Sequence, residues 1–348
     1  MIKYLGSKRT LVPLLGEIAA ASGAATALDL FTGTTRVARK FKELGMTVTA
    51  VDTASYSEVF AKTWIELDAN ETNLNELTEA IAHLNGAKPV SGYFTKTFCE
   101  DARYFQPANG EKIDAIRNMI ESEYRGSWLY EPLLASLILA ADRVDSTTGI
   151  QMAYLKQWSK RSYSALKLTD PGLLPGRGLA LRGDALAVAP ELPTVDLAYL
   201  DPPYNQHRYF ANYHIWETLV RWDAPEVYGI ANKRTDVREG DHRSRFNSKP
   251  DMPRAIRELI DGVNCQTLVL SYNNESWLTK DELIAICQPR GHVDVIDVDF
   301  KRYIGSQIGV FNKAGERVGN PGAKRNTEHV LIAGERKLVN KIANRIKI

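Results

Sequence analysis

Val195-Asp196-Leu197-Ala198-Tyr199-Leu200-Asp201-Pro202-Pro203-Tyr204 reads as a short buried strand that runs straight into a stiff polar turn. The run from Val195 to Leu200 is apolar except at Asp196, and its length is that of a strand. Asp201 then stands just past the carboxyl end, where open α/β sheets bind ligands. Pro202 and Pro203 have fixed φ and no N–H, so the turn is rigid. It can hold two acceptors in place, the Asp201 carboxylate and the Pro202 carbonyl. A planar amino group with two N–H donors matches that pair, and Tyr204 offers a flat face for stacking. An exocyclic amine on a flat ring describes adenine or cytosine. Taken alone, the four residues also fit a proline-rich turn without chemistry.

Working outward, Ala25 to Leu30 is a first strand, continued by Phe31-Thr32-Gly33-Thr34-Thr35. Thr34 or Thr35 is placed to cap a helix whose apolar positions Val37, Ala38, Phe41 and Leu44 follow the helical period, and Gly45 suits its end. Met46 to Asp52 is a second strand, Leu179 to Arg182 a third, and Thr267 to Tyr272 a further one. Ser7 is the expected N-cap of a helix reaching Ala21. Alternating strands and helices predict an α/β fold with a doubly wound, parallel sheet. Val293–Phe300 and His329–Ala333 read as a last, antiparallel pair around a polar, Gly-rich segment, and residues 336–348 as a tail.

Between Asp52 and Asp184 the alternation breaks. Phe60–Leu67, Leu74–Leu84, Leu129–Val144 and Ile150–Trp158 all read as helical. A mostly helical insert over residues 56–176 is expected, with residues 1–55 and 177–335 forming the main domain. Charge is uneven along the chain. Residues 154–182 carry six Lys/Arg against one acid, residues 233–257 eight against four, and residues 300–326 six against one, although the whole chain is only +2. That asymmetry predicts a polyanion-facing side, or alternatively solvated loops. The 3 cysteines have no metal-ligand spacing, so neither a zinc site nor a disulfide framework is expected. Glu17 interrupts the first apolar run, so residues 1–22 read as an amphipathic helix and not as a signal peptide.

The set Tyr4-Leu5-Gly6-Ser7-Lys8, Asp29-Leu30-Phe31-Thr32-Gly33, Asp52, Asp184 and Asp201-Pro202-Pro203-Tyr204 resembles the Dam-like adenine-N6 DNA methyltransferases in both order and spacing. The resemblance covers nearly the whole chain. It implies a Rossmann-like methyltransferase sheet with an antiparallel last strand. It also implies that the insert reads DNA, that S-adenosyl-L-methionine is the methyl donor, and that the enzyme is cytoplasmic in a bacterial or phage-infected cell. A restriction endonuclease is an implied partner, and the state expected is monomer or weak dimer.

The turn after strand one has a single glycine and is neither a dinucleotide nor a Walker loop, which fits a nucleoside without phosphates. The resemblance places Phe31, Gly33 and Asp29 against the cofactor, Asp52 on its ribose and Asp184 on its adenine amine. It puts Tyr4, Gly6, Ser7 and Lys8 at the methionyl end, with Lys8 pairing the carboxylate, and Asp201 also borders the cofactor. Asp52 and Asp184 equally suit N-caps. Asp201 and the Pro202 carbonyl would hold the target amine, and Pro203 and Tyr204 complete the catalytic turn. A base inside a duplex must be flipped out to reach such a turn. Tyr209, Phe210 and Tyr213 either complete the base pocket or pack the following helix. The stretch Tyr272-Asn273-Asn274-Glu275 is expected to close the same edge. His207, Arg208, Lys301, Arg302, Tyr303 and Gln307 are candidate DNA contacts. Rival readings are an RNA adenine or cytosine-N4 substrate, or a catalytically dead DNA-binding protein of the same fold.

Overall fold

The computed structural model describes every residue except 1, 5, 7, 205–208, 239–243, 302–309, 312–316, 320–324 and 347–348. In chain order, α1 (Val12–Ser22) precedes β1 (Thr26–Asp29), α2 (Arg36–Glu43), β2 (Thr47–Asp52) and α3 (Ser55–Ala61). Then come α4 (Leu74–Asn85), α5 (Tyr93–Thr95), α6 (Pro107–Tyr124) and α7 (Tyr130–Val144). β3 (Leu179–Arg182), α8 (Ala185–Val188) and β4 (Val195–Leu200) follow, then α9 (Tyr209–Asn212), α10 (His214–Arg221), β5 (Val227–Tyr228) and β6 (Lys233–Arg234). The chain continues through α11 (Met252–Gly262), β7 (Cys265–Asn273), α12 (Lys280–Cys287) and β8 (His292–Lys301). It ends with β9 (Val310–Phe311), β10 (Arg317–Gly319), β11 (Arg325–Gly334) and α13 (Arg336–Ile346).

Seven strands form one sheet in the order β3-β2-β1-β4-β7-β11-β8. β2 runs parallel to β3, and β1, β4 and β7 run parallel to one another, while β11 is antiparallel to both β7 and β8. The expected doubly wound sheet with an antiparallel last strand is therefore what the chain forms. Two compact units divide the chain: residues 1–8, 31–185 and 207–244, and residues 9–30, 186–206 and 245–348.

In the second unit, β4 and β7 are buried almost throughout, as expected of strands covered on both faces. α11 buries Met252, Ala255, Ile256, Leu259 and Ile260, a single stripe at helical spacing. α12 starts with a full capping box between Thr279 and Glu282. α1 starts at Val12 with Pro13 in its first turn, not at Ser7. Proline lacks the N–H that a first-turn residue leaves unused, so it marks the start. Ser7 itself lies outside the described residues. α13 occupies most of the expected tail and buries Val339, Ile342 and Ala343 against the chain.

In the first unit, α7 is apolar nearly all round and buries every residue from Pro132 to Asp142, and Val144, as a central core helix must. The helix after α3 continues as a π turn over Lys62–Glu66. Lys42 explains where its carbonyls go: the buried ammonium donates to Trp64 O, Ile65 O and Leu67 O at 3.0, 2.9 and 2.6 Å. Burial lowers the Lys42 pKa to about 8. Residues 150–158 do not form the expected helix. Gln151 instead spends its groups on tertiary partners: its N–H donates to Asn212 O at 2.8 Å, and its side-chain oxygen accepts Ile215 N–H at 2.9 Å. Its carbonyl accepts from Tyr104 Oη and His214 Nε2, at 2.8 and 2.9 Å.

Candidate active site

In the first unit, β2 ends at Asp52, and the Asp52 carboxylate shapes the turn after strand one. Its Oδ2 accepts Gly33 N–H at 2.8 Å and its Oδ1 accepts Ala54 N–H at 3.0 Å. Burial raises the Asp52 pKa, and the backbone donors oppose that shift. Gly33 has φ +51°, and a Cβ there would stand 3.2 Å from the Tyr4 ring, so only glycine suits both the backbone and the close approach. Thr35 takes the N-cap position of α2 but at φ 60° and without a side-chain cap, its hydroxyl donating to Thr34 O instead. Gly45 ends the helix at φ 85° as expected.

Tyr4 lies between Tyr209 and Tyr213, with ring centroids 5.4 and 4.6 Å away and both pairs stacked. Its hydroxyl is 3.4 Å from that of Tyr56. Gly6 has φ +73°, and a Cβ there would meet the Tyr209 hydroxyl at 3.0 Å. Lys8 opens a short 3-10 turn, Lys8–Thr10. Phe31 is half-buried next to the Gly33 turn, and Asp184 is exposed directly before α8. Gly183 N–H donates to Asp52 O at 3.0 Å, which ties the ends of β2 and β3 together. Tyr213 is buried and Tyr209 half-buried, and both stack on Tyr4.

Glu217 on α10 is a buried acid that the sequence reading did not single out. Its Oε1 accepts Ser55 N–H at 2.8 Å, and burial pushes its pKa up to about 7. Arg182 donates to the Ser55 hydroxyl at 3.0 Å.

In the second unit, β1 ends at the buried Asp29, in register with Tyr199 of β4. Asp201 follows β4 directly. Its Oδ1 accepts the Ser271 hydroxyl at 3.1 Å, and Ser271 Oγ lies 2.8 Å from Tyr199 Oη. With Ser271 donating to the carboxylate, Tyr199 donates to Ser271. Neither residue was expected at the site; the only signal was a hydroxyl near the end of the strand Thr267–Tyr272. Pro202 is buried and Pro203 and Tyr204 are half-buried. Tyr204 meets Tyr272 edge-on, centroids 5.7 Å apart, and the Tyr272 hydroxyl donates to Met252 Sδ at 3.2 Å. Asn273 and Asn274 engage β11: Asn273 Nδ2 donates to Glu328 Oε2 at 3.3 Å, and Asn274 N–H to Thr327 O at 3.0 Å. Asn326 Nδ2 donates to Glu275 Oε2 at 3.1 Å. Of the DNA candidates, His207, Arg208, Arg302, Tyr303 and Gln307 lie outside the described residues. Lys301 ends β8, and its side chain is likewise outside them.

Residues 4–286 match the family model of the D12 class N6 adenine-specific DNA methyltransferases. The chain belongs to that family. Its relatives include the modification methylase StsI of Streptococcus sanguinis, 31% identical over 329 residues that cover 88% of this chain and 50% of that protein. The type II methyltransferase M.NlaIII of Neisseria lactamica is 31% identical over 318 residues, covering 87% of this chain and 92% of the relative. M.FokI of Planomicrobium okeanokoites is 30% identical over 312 residues, covering 83% and 47%. The chain thus spans about half the length of the StsI and FokI methylases and nearly all of M.NlaIII. Among the described residues, no helix is long and apolar enough to cross a membrane.

Proposed function

We propose that the protein transfers the methyl group of S-adenosyl-L-methionine to adenine N6 in duplex DNA, as a Dam-like, α-order enzyme. The observation that carries this reading is Asp201-Pro202-Pro203-Tyr204 at the carboxyl end of β4, in a chain of the D12 family. S-adenosyl-L-methionine supplies an electrophilic methyl on sulfur. The residues present fit it: a turn whose single glycine, Gly33, allows close approach, a carboxylate at Asp52 for hydroxyls, and no phosphate-binding glycine pattern. Tyr4, Gly6, Ser7, Lys8, Asp29, Phe31 and Asp184 complete the assigned set.

The adenine N6 lone pair is delocalised into the ring and is a weak nucleophile. Asp201 and the Pro202 carbonyl would accept its two N–H groups and favour a pyramidal, more reactive nitrogen. Their contribution is orientation and preorganised charge. Asp201 need not be a strong base, because the amine loses its proton readily once methylated. Tyr204 would stack on the flipped base.

Residues 56–176 are assigned the DNA-reading role, residues 1–55 and 177–335 the catalytic one, with residues 336–348 outside both. Support for the first comes from the basic stretch near residue 160. Asn109 Nδ2 donates to Ser162 O and Ser164 O, and its Oδ1 accepts Leu166 N–H, at 3.2, 2.9 and 2.9 Å. Asn85 does the same for both backbone groups of Leu168, at 3.0 and 2.9 Å. A short 3-10 turn, Lys160–Tyr163, and the extended stretch after it are thereby pinned; Lys160 is exposed, and Tyr163 and Lys167 are exposed on the lining of an open cleft of about 690 Å³. A pinned display of cations and an aromatic ring suits a nucleic-acid backbone. A cytoplasmic monomer or weak dimer acting beside a restriction endonuclease completes the proposal.

The test is methyl transfer from labelled S-adenosyl-L-methionine to unmethylated genomic DNA, beside total RNA, with products digested to nucleosides. N6-methyldeoxyadenosine is expected. Label in RNA alone, or cofactor binding without transfer to any DNA, would overturn the assignment.

A further inference from the structure

Lys3, directly before the Tyr4–Lys8 loop, is fastened to the far end of α7. Its backbone N–H donates to both carboxylate oxygens of Asp142 at 3.2 Å. Its ammonium pairs with Asp142 Oδ2 at 2.8 Å and Asp145 Oδ1 at 3.4 Å, and also donates to the Asp142 carbonyl. Asp145 in turn accepts Arg161 Nε at 2.8 Å. Asp142 and Asp145 are only 6% and 2% exposed. A helix C-terminus is the negative end of the macrodipole, and its last carbonyls lack partners. Two buried carboxylates there are unfavourable unless cations hold them. Buried ion pairs add little net stability, while removing one partner leaves an uncompensated buried charge. Here the fixed object includes a main-chain amide, which a surface ion pair would not require. The next residue, Tyr4, is then clamped between Tyr209 and Tyr213.

We propose that Asp142 is a positioning residue for the cofactor loop: by holding both the amide and the ammonium of Lys3, it sets where Tyr4, Gly6 and Lys8 stand and so sets the affinity for S-adenosyl-L-methionine. The inference rests on the reading that this loop contacts the cofactor. It makes a helix of the DNA-reading insert part of the cofactor site's support, linked through Asp145 and Arg161 to the basic stretch around residue 160.

The experiment compares full-length Asp142→Asn, Asp142→Glu, Lys3→Met, the Lys3→Met/Asp142→Asn double variant and Lys8→Ala. Steady-state kinetics at saturating DNA and DNA affinity are both measured. Asp142→Asn is expected to raise KM for S-adenosyl-L-methionine about tenfold, with kcat and DNA affinity nearly unchanged. Asp142→Glu should recover part of the loss, and the double variant should be no worse than Asp142→Asn alone, because the two residues act as one unit. Should Asp142→Asn fail to fold, Lys3→Met removes the same ion pair from its more exposed partner and carries the same expectation. An unchanged KM in Asp142→Asn, with activity falling only as thermal stability falls, overturns the proposal. If that occurs while Lys8→Ala still raises KM, the loop reading stands and only the Asp142 role is lost. If Lys8→Ala also leaves KM unchanged, the loop reading itself fails and takes the proposal with it.

Discussion

Asp52 and Asp201 both stand where a parallel strand ends, yet they are held by different kinds of partner. Asp52 accepts two backbone N–H groups, from Gly33 and Ala54, and so builds the shape of a turn. Asp201 accepts a side-chain hydroxyl, Ser271, itself within hydrogen-bond distance of Tyr199. The first pattern recurs in the same unit: Glu217 accepts Ser55 N–H, and Asn85 and Asn109 pin the stretch up to Leu168. Polar side chains spent on backbone set positions. A carboxylate aimed by side chains has its direction tuned without altering the chain path. Changes of the first kind should move stability and binding, and changes of the second kind should move turnover.

The sharpest break of that comparison is Asp201→Ala. Turnover should fall by on the order of 10³-fold, the loss typical of a preorganised group facing developing charge. Binding of S-adenosyl-L-methionine, followed by calorimetry, should remain measurable. Loss of cofactor binding in step with turnover would make Asp201 another shape-setting acid.

Glu217→Gln tests the opposite class. The folded-state pKa is raised from 4.5 to about 7 by burial, so the folded chain holds an extra proton in between. The associated stability is fully present below about pH 4.5 and is lost as pH rises through about 7, on the order of 3 kcal/mol in all. Glutamine keeps an acceptor for Ser55 N–H and carries no charge. Urea unfolding should therefore show Glu217→Gln equal to the parent near pH 4 and more stable by about 3 kcal/mol near pH 8. A gain independent of pH would refute the assignment of the burial cost to the charge.

Ser271→Ala is the milder probe of the side-chain class. Losing the donor that aims Asp201 should lower kcat about tenfold and leave KM for the cofactor unchanged. An effect on KM alone would place Ser271 with the backbone-shaping groups.

The two classes also differ in how far the sequence reveals them. β1, β2, β4 and β7 are apolar runs, so their ends, and with them Asp29, Asp52 and Asp201, could be located from the chain. Gly33 announced its turn because glycine takes a left-handed backbone without strain and leaves room for a close neighbour. Ser271 could not be paired with Asp201 beforehand, because that hydrogen bond depends on β4 lying beside β7 with Leu200 opposite Leu270. Lys42 looks like a surface lysine on an amphipathic helix until the π turn that it satisfies is seen. The stretch Ile150–Trp158 has helical spacing, but propensity is a weak prior, and tertiary partners of Gln151 override it. Lys3 and Asp142 are 139 positions apart, beyond any local pattern.

The smallest expected effect concerns the stretch that Asn85 and Asn109 pin. If its rigidity serves DNA, the cations it exposes should pair with phosphates of the duplex, without sequence preference. Lys160→Gln with Lys167→Gln should weaken DNA binding severalfold and lower the slope of log affinity against log salt by about 0.9 for each phosphate that is no longer neutralised. Turnover at saturating DNA should be unchanged, because neither side chain belongs to the Asp201–Tyr204 turn. Asn109→Ala should give a similar fall in affinity with the salt slope retained, since both lysines remain while the chain that carries them loosens. An unchanged slope in the lysine double variant would remove this stretch from the interface and leave its asparagines a purely architectural role.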